Sequence, residues 1–184
     1  ASTATSILSN AIDNCRAGIY YYPETSATDV IISGNLLSNV TNNGIYCRNN
    51  TGAQITGNSI SFPSTTADAL VGIYAYSMTN GVVSYNTISG GSTTSTCMGT
   101  GQRAGSVEWH HNTVSNLHSN NTMEGFDCYS GTIILRNSQY HTLSSNTYVY
   151  GIELNLDAGG STTVYNNRIH NLISNTVSSH NVTG

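Results

Sequence analysis

The chain has 184 residues, the length of one ordinary domain, and 38% of them are hydrophobic, which suffices for a core. Only 8% are charged, against roughly 25% in a typical soluble protein, so Ser, Thr, Asn and Gly supply most of the polarity. The chain has no lysine, its five arginines are scattered, and its net charge is -4. Because nucleic acids and anionic membranes are bound by concentrated positive charge, we expect neither as a partner. We also expect no membrane insertion, since no apolar run approaches the ~18 residues of a membrane span.

A glycine, an aliphatic residue and a tyrosine recur in that order along the chain. The motif stands in AGIYYY at 17–22, NNGIYCRNN at 42–50 and VGIYAY at 71–76, and weaker copies follow at Gly99, Gly125 and Gly151. Successive glycines are 26, 28, 27, 26 and 26 residues apart. Self-similarity at a fixed period of this length indicates a solenoid or another repeat array.

A second column lies upstream of each glycine and is built around asparagine. Its members are Asn10, Asn35, Asn58, Asn86, Asn112, Asn137 and Asn167. An apolar residue stands three positions before each of them, and another stands two positions after, except at Gln139. Stacked in register, asparagine amides can hydrogen-bond from one repeat to the next, and asparagine tolerates left-handed turns. The column therefore predicts a structural ladder.

The pattern within each repeat predicts short strands joined by turns. Apolar residues alternate over short runs bounded by Gly, Asn and Ser, and no segment keeps a helical period for ten residues. A coil of about 26 residues with two or three strands is one rung of a parallel β-helix, in which rungs stack at ~4.8 Å. We therefore predict an all-β solenoid of about seven rungs.

Neither end of the repeat carries a visible cap. The chain begins with ASTATS, and Gly184 stands where the next strand would start. Solenoids normally protect their end rungs, because exposed strand edges invite aggregation. We expect residues 1–184 to form a single β-helix segment of a longer chain, with neighbouring domains of that chain as partners.

The repeated I-x-x-N-x-I followed by N-G-I-Y, which extends from Ile7 to Asn181, resembles the parallel β-helix repeat of the pectate-lyase-like superfamily. The resemblance implies a right-handed coil, in agreement with the handedness of parallel crossovers. That superfamily includes polysaccharide lyases, some glycosidases, phage tailspikes and many bacterial surface proteins, so it does not specify one function. Its lyases often use Lys or Arg as base, whereas this chain has no lysine and only Arg48 in the predicted outward column.

Alternation within the strands after each glycine predicts one outward face. Its first column is predicted to hold Tyr20, Tyr46, Tyr74, Thr100, Asp127 and Glu153, and the second to hold Tyr22, Arg48, Tyr76, Gln102, Tyr129 and Asn155. Such tyrosines are explained by pairing between neighbouring strands, or by contact with the apolar faces and hydroxyls of sugars. On the second interpretation the ligand-binding residues are Tyr20, Tyr22, Tyr46, Arg48, Tyr74, Tyr76 and Tyr129.

Asp127 and Glu153 fall in one outward column on adjacent rungs and are the candidate catalytic residues. Backbones ~4.8 Å apart could bring two carboxylates to glycosidase-like separation, with a raised pKa on one of them. Asp157 could join them. The alternatives are that the side chains splay into solvent, or that they hold Ca²⁺ together with loop carbonyls. Apart from that Ca²⁺, we expect no cofactor and no metal.

The cysteines and histidines are not expected to form disulfides or a catalytic triad. Cys47 and Cys128 share an inward column but lie three rungs apart, too far for a disulfide, and Cys15 and Cys97 are similarly separated, which favours four free thiols. No histidine completes a catalytic triad, and we expect each of them at the surface; His110 with His111 is the only pair that we would check for adventitious metal.

Two functions remain open. The first is a secreted or cell-surface bacterial module with a structural, adhesive or glycan-binding role, whose partner is a polysaccharide or surface glycan. The second is the catalytic β-helix of a polysaccharide-degrading glycosidase or lyase, or of a phage tailspike.

Overall fold

The computed structural model describes residues 4–156, 160–175 and 182–183, so Asp157 and Gly184 lie outside the described residues. The described residues form twenty strands and no helix. In chain order the strands are β1 (Ser6–Leu8), β2 (Ala11–Asp13), β3 (Ala17–Tyr21), β4 (Ala27–Thr28), β5 (Ile31–Ser33), β6 (Leu36–Ser38), β7 (Asn43–Thr51), β8 (Gln54–Thr56), β9 (Ser59–Ser61), β10 (Leu70–Ser84), β11 (Thr87–Ser89), β12 (Ser92–Thr93), β13 (Cys97–His110), β14 (Thr113–Ser119), β15 (Met123–Arg136), β16 (Gln139–Ser145), β17 (Val149–Leu154), β18 (Thr162–Tyr165), β19 (Arg168–Ser174) and β20 (Val182–Thr183).

Each strand pairs in parallel with its counterpart one repeat away. The strands form a twelve-stranded sheet and an eight-stranded sheet. In the first, Tyr46 lies opposite Tyr74, and in the second Ile60 lies opposite Ile88. The chain is thus a parallel β-helix of about six turns, with equivalent positions about 26 residues apart, and the predicted fold is confirmed.

Residues with a left-handed backbone make the corners of the coil. One column of them stands directly before the ladder position and consists of Ser9, Gly34, Gly57, Tyr85, His111, Asn137 and Asn166, with φ between 52° and 64°. A second set bends the long strands of the first sheet, at Asn49 in β7, Ser77 in β10 and Ala104 in β13. The twelve-stranded sheet therefore presents two surfaces. We call the one before these bends the tyrosine face, and the one between the bends and the left-handed column the histidine face.

The asparagine ladder runs through the buried side of these corners. The backbone N–H and the Nδ2 of Asn58 both donate to Oδ1 of Asn86 at 2.9 Å, and Asn86 donates in the same way to Oδ1 of Asn112 at 3.1 and 3.0 Å. Asn86 Nδ2 also donates to the carbonyl of Ile55 at 2.9 Å. Asn58, Asn86 and Asn112 are at most 1% exposed, so these bonds satisfy amides that have no access to water.

One member of the predicted ladder is wrong. Ser138 occupies the ladder position, where its Oγ accepts from the N–H of Asn112 at 3.2 Å, and Asn137 instead adopts the left-handed turn with φ of 52°. The following segment is displaced by one residue as well, so Tyr140 and not Gln139 fills the inward position opposite Val114. Asparagine suits both the ladder and the turn, and the sequence pattern therefore could not distinguish the two positions.

The glycine of the repeated motif lies where the two sheets come closest. A Cβ on Gly44 would stand 2.5 Å from the carbonyl oxygen of Gly72 in the next turn and 2.7 Å from Cγ2 of Ile60 in the second sheet. Any side chain there would separate successive rungs. The inward residue that follows it, Ile45, is fully buried.

The core is mainly a stack of aliphatic columns, with an aromatic and polar cluster around Trp109. Trp109 is fully buried, packs edge-on against Phe126 at 5.3 Å, and donates its Nε1–H to Oε1 of Gln102 at 3.0 Å. Gln102 and Thr100, both predicted to face outward, are fully buried, because Thr100 takes the inward position opposite Ile73. The outward positions of this rung belong to Gly101 and Arg103 instead.

We predict that Asn86→Ala lowers the free energy of unfolding by about 2–4 kcal/mol, because it leaves the buried Asn58 N–H without its acceptor and removes the amide bonds to Asn112 and to the Ile55 carbonyl. Asn86→Ser should cost less, since Ser138 shows that a hydroxyl can accept the ladder bond. Urea unfolding followed by circular dichroism measures the difference. Asn121→Ala, at an exposed loop asparagine, is the matched control. Equal stability of the Asn86→Ala and Asn121→Ala variants would contradict the structural role of the ladder.

Candidate functional site on the tyrosine face

Three tyrosines form the first row of the tyrosine face. The register places Tyr20, Tyr46 and Tyr74 side by side on β3, β7 and β10. The rings of Tyr20 and Tyr46 stack at 4.6 Å between centroids with 9° between planes, and Tyr46 and Tyr74 lie at 5.9 Å and 41°. Tyr20 is 59% exposed, so the row presents aromatic surface to solvent.

The second row alternates tyrosine with arginine. The guanidinium carbon of Arg48 lies 4.6 Å from the ring centroid of Tyr22 and 4.5 Å from that of Tyr76. Arg103 lies 5.9 Å from the ring of Tyr76 and 4.9 Å from that of Tyr129. Each contact is within the range of a cation–π interaction. The five side chains thus form one continuous row over roughly four rung spacings, or about 19 Å.

The two rows shield each other from water. Burial raises the pKa of Tyr46, and its neighbour Tyr20 raises it further, while Arg48 acts in the opposite direction. Burial likewise raises the pKa of Tyr74. Both phenols are therefore neutral hydroxyls at physiological pH, and each is able to donate and accept hydrogen bonds.

The first row is interrupted at Gly101, opposite Tyr74. A Cβ at this position would lie 2.3 Å from the sulfur of Met98 and 3.3 Å from the Tyr74 ring, so the methionine thioether fills the place of a side chain. Beyond this gap the aromatic surface gives way to carboxylates. The same face therefore has an aromatic part and an acidic part.

The acidic part consists of Glu124, Asp127 and Glu153. Asp127 on β15 lies opposite Glu153 on β17, as expected. Burial raises the pKa of Asp127 to about 6, and the charge of Glu153 adds to this effect. Burial also raises the pKa of Glu124 to about 7, and Asp127 and Glu153 contribute through like-charge repulsion. The cluster therefore holds protons near neutral pH, which is a property of general acids in enzymes.

The structure brings the predicted ligand-binding residues together on one surface and adds two residues that sequence reasoning missed. Arg103 takes the outward position that was assigned to Gln102. Glu124 stands directly before Gly125 and is half-buried, whereas Gly125 and Phe126 are both buried, so the inward and outward alternation is interrupted at the glycine. The column of residues preceding each glycine could have shown this, since Asn43 holds the same position before Gly44. Asn155 lies beyond the end of β17 and donates its Nδ2–H to Oε1 of Glu153 at 3.0 Å.

The cysteines take no part in this face. All four are free, as expected, and Cys47, Cys97 and Cys128 are buried. Burial raises the pKa of Cys47 to about 12 and that of Cys128 to about 11, and it raises the pKa of Cys97 as well. These thiols are protonated at neutral pH and inaccessible, so they behave as small core residues.

Two pairs of histidines lie elsewhere on the rod. Nδ1 of His110 and Nδ1 of His111 are 2.9 Å apart, with 88° between the ring planes. His141 and His170 stack on adjacent rungs at 5.0 Å with 4° between planes. The rings of the first pair are in hydrogen-bond contact, and those of the second pair are parallel.

The coil, the ladder and the outward rows define a parallel β-helix repeat protein, which confirms the β-helix repeat predicted from the sequence. The family model described as "Periplasmic copper-binding protein (NosD)" matches residues 1–104, more than half of the chain, and the chain belongs to this family. No curated protein and no solved structure matches the chain. The family is periplasmic by description, which agrees at a coarse level with the expected location outside the cytoplasm.

The family description raises the question of which side chains fit copper, which prefers imidazole, thiolate or thioether ligands. Among the described residues, no group of three or more His, Cys, Asp or Glu is placed to hold a metal ion. The buried, protonated thiols do not fit. His110 and His111 bring only two imidazole nitrogens together, 2.9 Å apart in hydrogen-bond contact. In the part of the chain that the structure describes, no helix is long and apolar enough to cross a membrane.

The raised carboxyl pKa values lead to a prediction about stability. The folded state retains protons that the unfolded state releases above the ordinary glutamate pKa of 4.5, so the stabilisation is present below that pH and is lost as pH rises through about 7. Glu124→Gln has no carboxyl group to ionise at this position, so the variant should not lose this stability as pH rises. We expect the variant to match wild type near pH 4.5 and to exceed it by on the order of 2 kcal/mol at pH 8, allowing for partial exposure.

Thermal or urea unfolding at several pH values measures this difference. The control is Glu24→Gln, at an exposed glutamate of the first rung, which should reproduce the wild-type profile. A Glu124→Gln variant that loses stability with rising pH as steeply as wild type would refute the prediction.

Proposed function

We propose that this chain is a β-helix module outside the cytoplasm that binds a neutral polysaccharide or surface glycan along its tyrosine face. The observation that carries the proposal is the pair of continuous rows formed by Tyr20, Tyr46 and Tyr74 and by Tyr22, Arg48, Tyr76, Arg103 and Tyr129. An adhesive role follows where the glycan belongs to a surface.

The chemistry of the rows suits sugars. A tyrosine ring offers a flat apolar surface to the C–H groups of a pyranose, and its hydroxyl meets the sugar hydroxyls. The guanidinium groups of Arg48 and Arg103 are held between rings, which leaves their N–H edges as fixed donors. Because neighbouring side chains already immobilise each other, binding costs less conformational entropy than on a surface of isolated side chains.

The periodicity of the face suits a polymer. Equivalent groups recur at each rung, about 4.8 Å apart along the axis, so a linear chain meets the same type of contact repeatedly. The two arginines of the rows are offset by the three carboxylates of the acidic part, and the whole chain has few charges. A neutral glycan therefore fits this surface better than a strongly anionic one.

We predict that Tyr20→Ala and Tyr46→Ala each weaken binding about tenfold, which corresponds to about 1.4 kcal/mol, since each removes one stacking platform. Tyr46→Phe should retain most of the affinity. A glycan array identifies the ligand, and calorimetry with that glycan measures the effect. The matched control is Tyr85→Ala, because Tyr85 is 59% exposed like Tyr20 but lies at a corner of the histidine face.

Two outcomes would contradict the proposal. One is that no glycan binds the wild-type chain. The other is that Tyr20→Ala and Tyr46→Ala bind as tightly as Tyr85→Ala.

A second candidate function, hydrolysis of the bound polysaccharide, is favoured by one observation. Glu124 and Asp127 have raised pKa values and lie next to Glu153, so protonated and ionised carboxyls are adjacent on the surface proposed to bind the glycan. Glycosidases use such a combination, with one carboxyl as general acid and another as nucleophile or base. Asp127 and Glu153 remain the predicted catalytic residues, and Glu124 joins them as a candidate acid.

We predict that, if the chain hydrolyses the glycan it binds, Asp127→Asn and Glu153→Gln each reduce turnover at least a hundredfold, because each removes a group that transfers a proton or stabilises charge. Binding should persist, since the tyrosine rows are intact. Release of reducing ends from the glycan identified on the array measures turnover. Absence of turnover by wild type rejects this second function and leaves the binding proposal in place, and undiminished turnover by both variants rejects the residue assignment.

A further inference from the structure

We propose that the histidine face carries a second ligand site, which binds one neutral sugar unit. The site is a cavity of about 370 Å³ that is open to solvent. Two columns of side chains line it, the first consisting of Asn80, Ser106 and Thr132 and the second of Val82, Glu108 and Ile134. The volume is at the small end of the range for ligand pockets, so it suits a single ring better than a long stretch of polymer.

The register of three successive strands builds the cavity. Val82 on β10 lies opposite Glu108 on β13, and Glu108 lies opposite Ile134 on β15. Ser106 lies opposite Thr132 two residues earlier along the same strands. At ~4.8 Å per rung and ~3.3 Å per residue, the two columns cover roughly 10 by 7 Å. An area of this size is comparable to one pyranose ring with its hydroxyl groups.

The second column offers apolar surface on both sides of a carboxylate. Ile134 is 39% exposed although its side chain is large and aliphatic, and Val82 is half-buried. One face of a pyranose presents mainly C–H groups. Contact between such a face and these two side chains removes apolar surface from water, which favours binding.

Glu108 is held in place as a hydrogen-bond acceptor. Nε and Nη2 of Arg136 both donate to its Oε1, at 2.8 and 2.5 Å, which leaves Oε2 to accept from a ligand. The Glu108 side chain is 31% exposed and lies between two aliphatic neighbours, where a hydrogen bond to a charged group is stronger than in open water. A sugar hydroxyl can donate to Oε2. The carboxylate of an acidic sugar would be repelled there, so a neutral sugar is favoured.

The first column supplies amide and hydroxyl groups. The backbone N–H of Asn80 donates to Oγ of Ser106 at 2.8 Å, and this hydroxyl donates to Oδ1 of Asn80 at 3.3 Å. These bonds hold the Asn80 side chain, whose Nδ2 is a donor for a ligand. Thr132 is exposed and adds a hydroxyl on the next rung. Sugar hydroxyls both donate and accept, so they match this mixture of groups.

A site on the histidine face would give the rod two points of attachment. Arg103 of the tyrosine face and Glu108 of the cavity both lie on β13, which bends between them at Ala104. A glycan on the tyrosine rows therefore leaves the cavity open to a unit of a second glycan, and the rod would bridge the two. Bridging rests on the proposed function, whereas the cavity binds a free sugar independently of it.

The test of the cavity is nuclear magnetic resonance titration of the isotope-labelled chain with free glucose, galactose, mannose and N-acetylglucosamine. At least one of these sugars should shift the methyl signals of Val82 and Ile134 and the side-chain amide signals of Asn80. Ile134→Ala and Asn80→Gly should each weaken this binding roughly fivefold, because the first removes apolar contact and the second removes an amide hydrogen bond.

The variants are chosen so that loss of binding is not loss of folding. Glycine suits the left-handed backbone of Asn80, where φ is 52°, and Ile134 projects outward. Leu36→Ala and Asn116→Gly are the matched controls on the eight-stranded sheet, since Leu36 is 53% exposed and Asn116 has φ of 56°. Both should bind the sugar as wild type does. Thermal unfolding confirms that all four variants are folded.

Turbidity with the glycan identified on the array tests bridging. Wild type should aggregate this glycan, and Ile134→Ala should still bind it through the tyrosine face but aggregate it much less. Tyr46→Ala should bind the glycan more weakly, while its Ile134 signals still shift with the free sugar. Undiminished aggregation by Ile134→Ala would overturn the bridging role.

Two results would overturn the cavity as a sugar site. One is that none of the four sugars shifts the Ile134 and Asn80 signals of wild type. The other is that folded Ile134→Ala and Asn80→Gly chains respond to the sugar as their controls do. If free sugar shifts these signals but no glycan binds the tyrosine rows, the proposed function fails and the cavity assignment stands.

Discussion

The structure depends on a constraint of register. In a parallel β-helix the strands of one rung bond to the rungs above and below, and a slip by one residue would turn every inward side chain outward. Hydrogen bonds between strands do not by themselves oppose such a slip, because the backbone is the same at every position. The buried amides of Asn58, Asn86 and Asn112 do oppose it, since each must meet the next to be satisfied. The glycine column adds a steric limit at Gly44, where a side chain would strike the next rung.

The same register builds the outward surface. Because equivalent residues lie one rung apart, Tyr46 faces Tyr20 closely enough to stack, and Arg48 is held between two tyrosine rings. No loop has to fold over the site to bring these groups together. The surface is therefore as rigid as the coil, and what differs between rungs is only the identity of the side chain in each column. Function in such a rod is specified by the order of residues down a column.

Much of the fold could be predicted from the sequence, because the period of 26 to 28 residues and the alternation of apolar residues each depend on short-range pattern. The errors lie where one residue type suits two positions. Asn137 matched the ladder by type, but Ser138 occupies it. Gln102 was placed outward by an alignment one residue out of register after Gly99, since alternation counted from that glycine as in the other repeats puts Thr100 and Gln102 inward. What the sequence could not show is that the buried indole of Trp109 gives Gln102 a partner in the core. Such a pairing depends on contacts between positions, which a pattern of single residues cannot contain.

The candidate functional site, like the fold, could be predicted from the sequence only in part. Alternation alone placed Tyr20, Tyr46 and Tyr74 on one face, whereas the outward position of Glu124 follows from the interruption of that alternation at Gly125 and Phe126, which are both buried. The convergence of His110 and His111 depends on a left-handed backbone that histidine adopts only occasionally. The sequence shows only that two histidines are adjacent, and the close contact of their nitrogen atoms emerges from the corner of the coil.

The tyrosine face and the histidine pair are physically linked and chemically independent. Strand β13 contributes Arg103 to the first and His110 to the second, and it bends between them at Ala104, where φ is 61°. The bend directs the two side chains to different surfaces, so a polymer lying along the tyrosine rows does not cover the imidazoles. A glycan bound as proposed along the aromatic part would extend toward Asp127 and Glu153, because these residues share the tyrosine face. The proposed binding and hydrolysis would thus be coupled through one path along the rod.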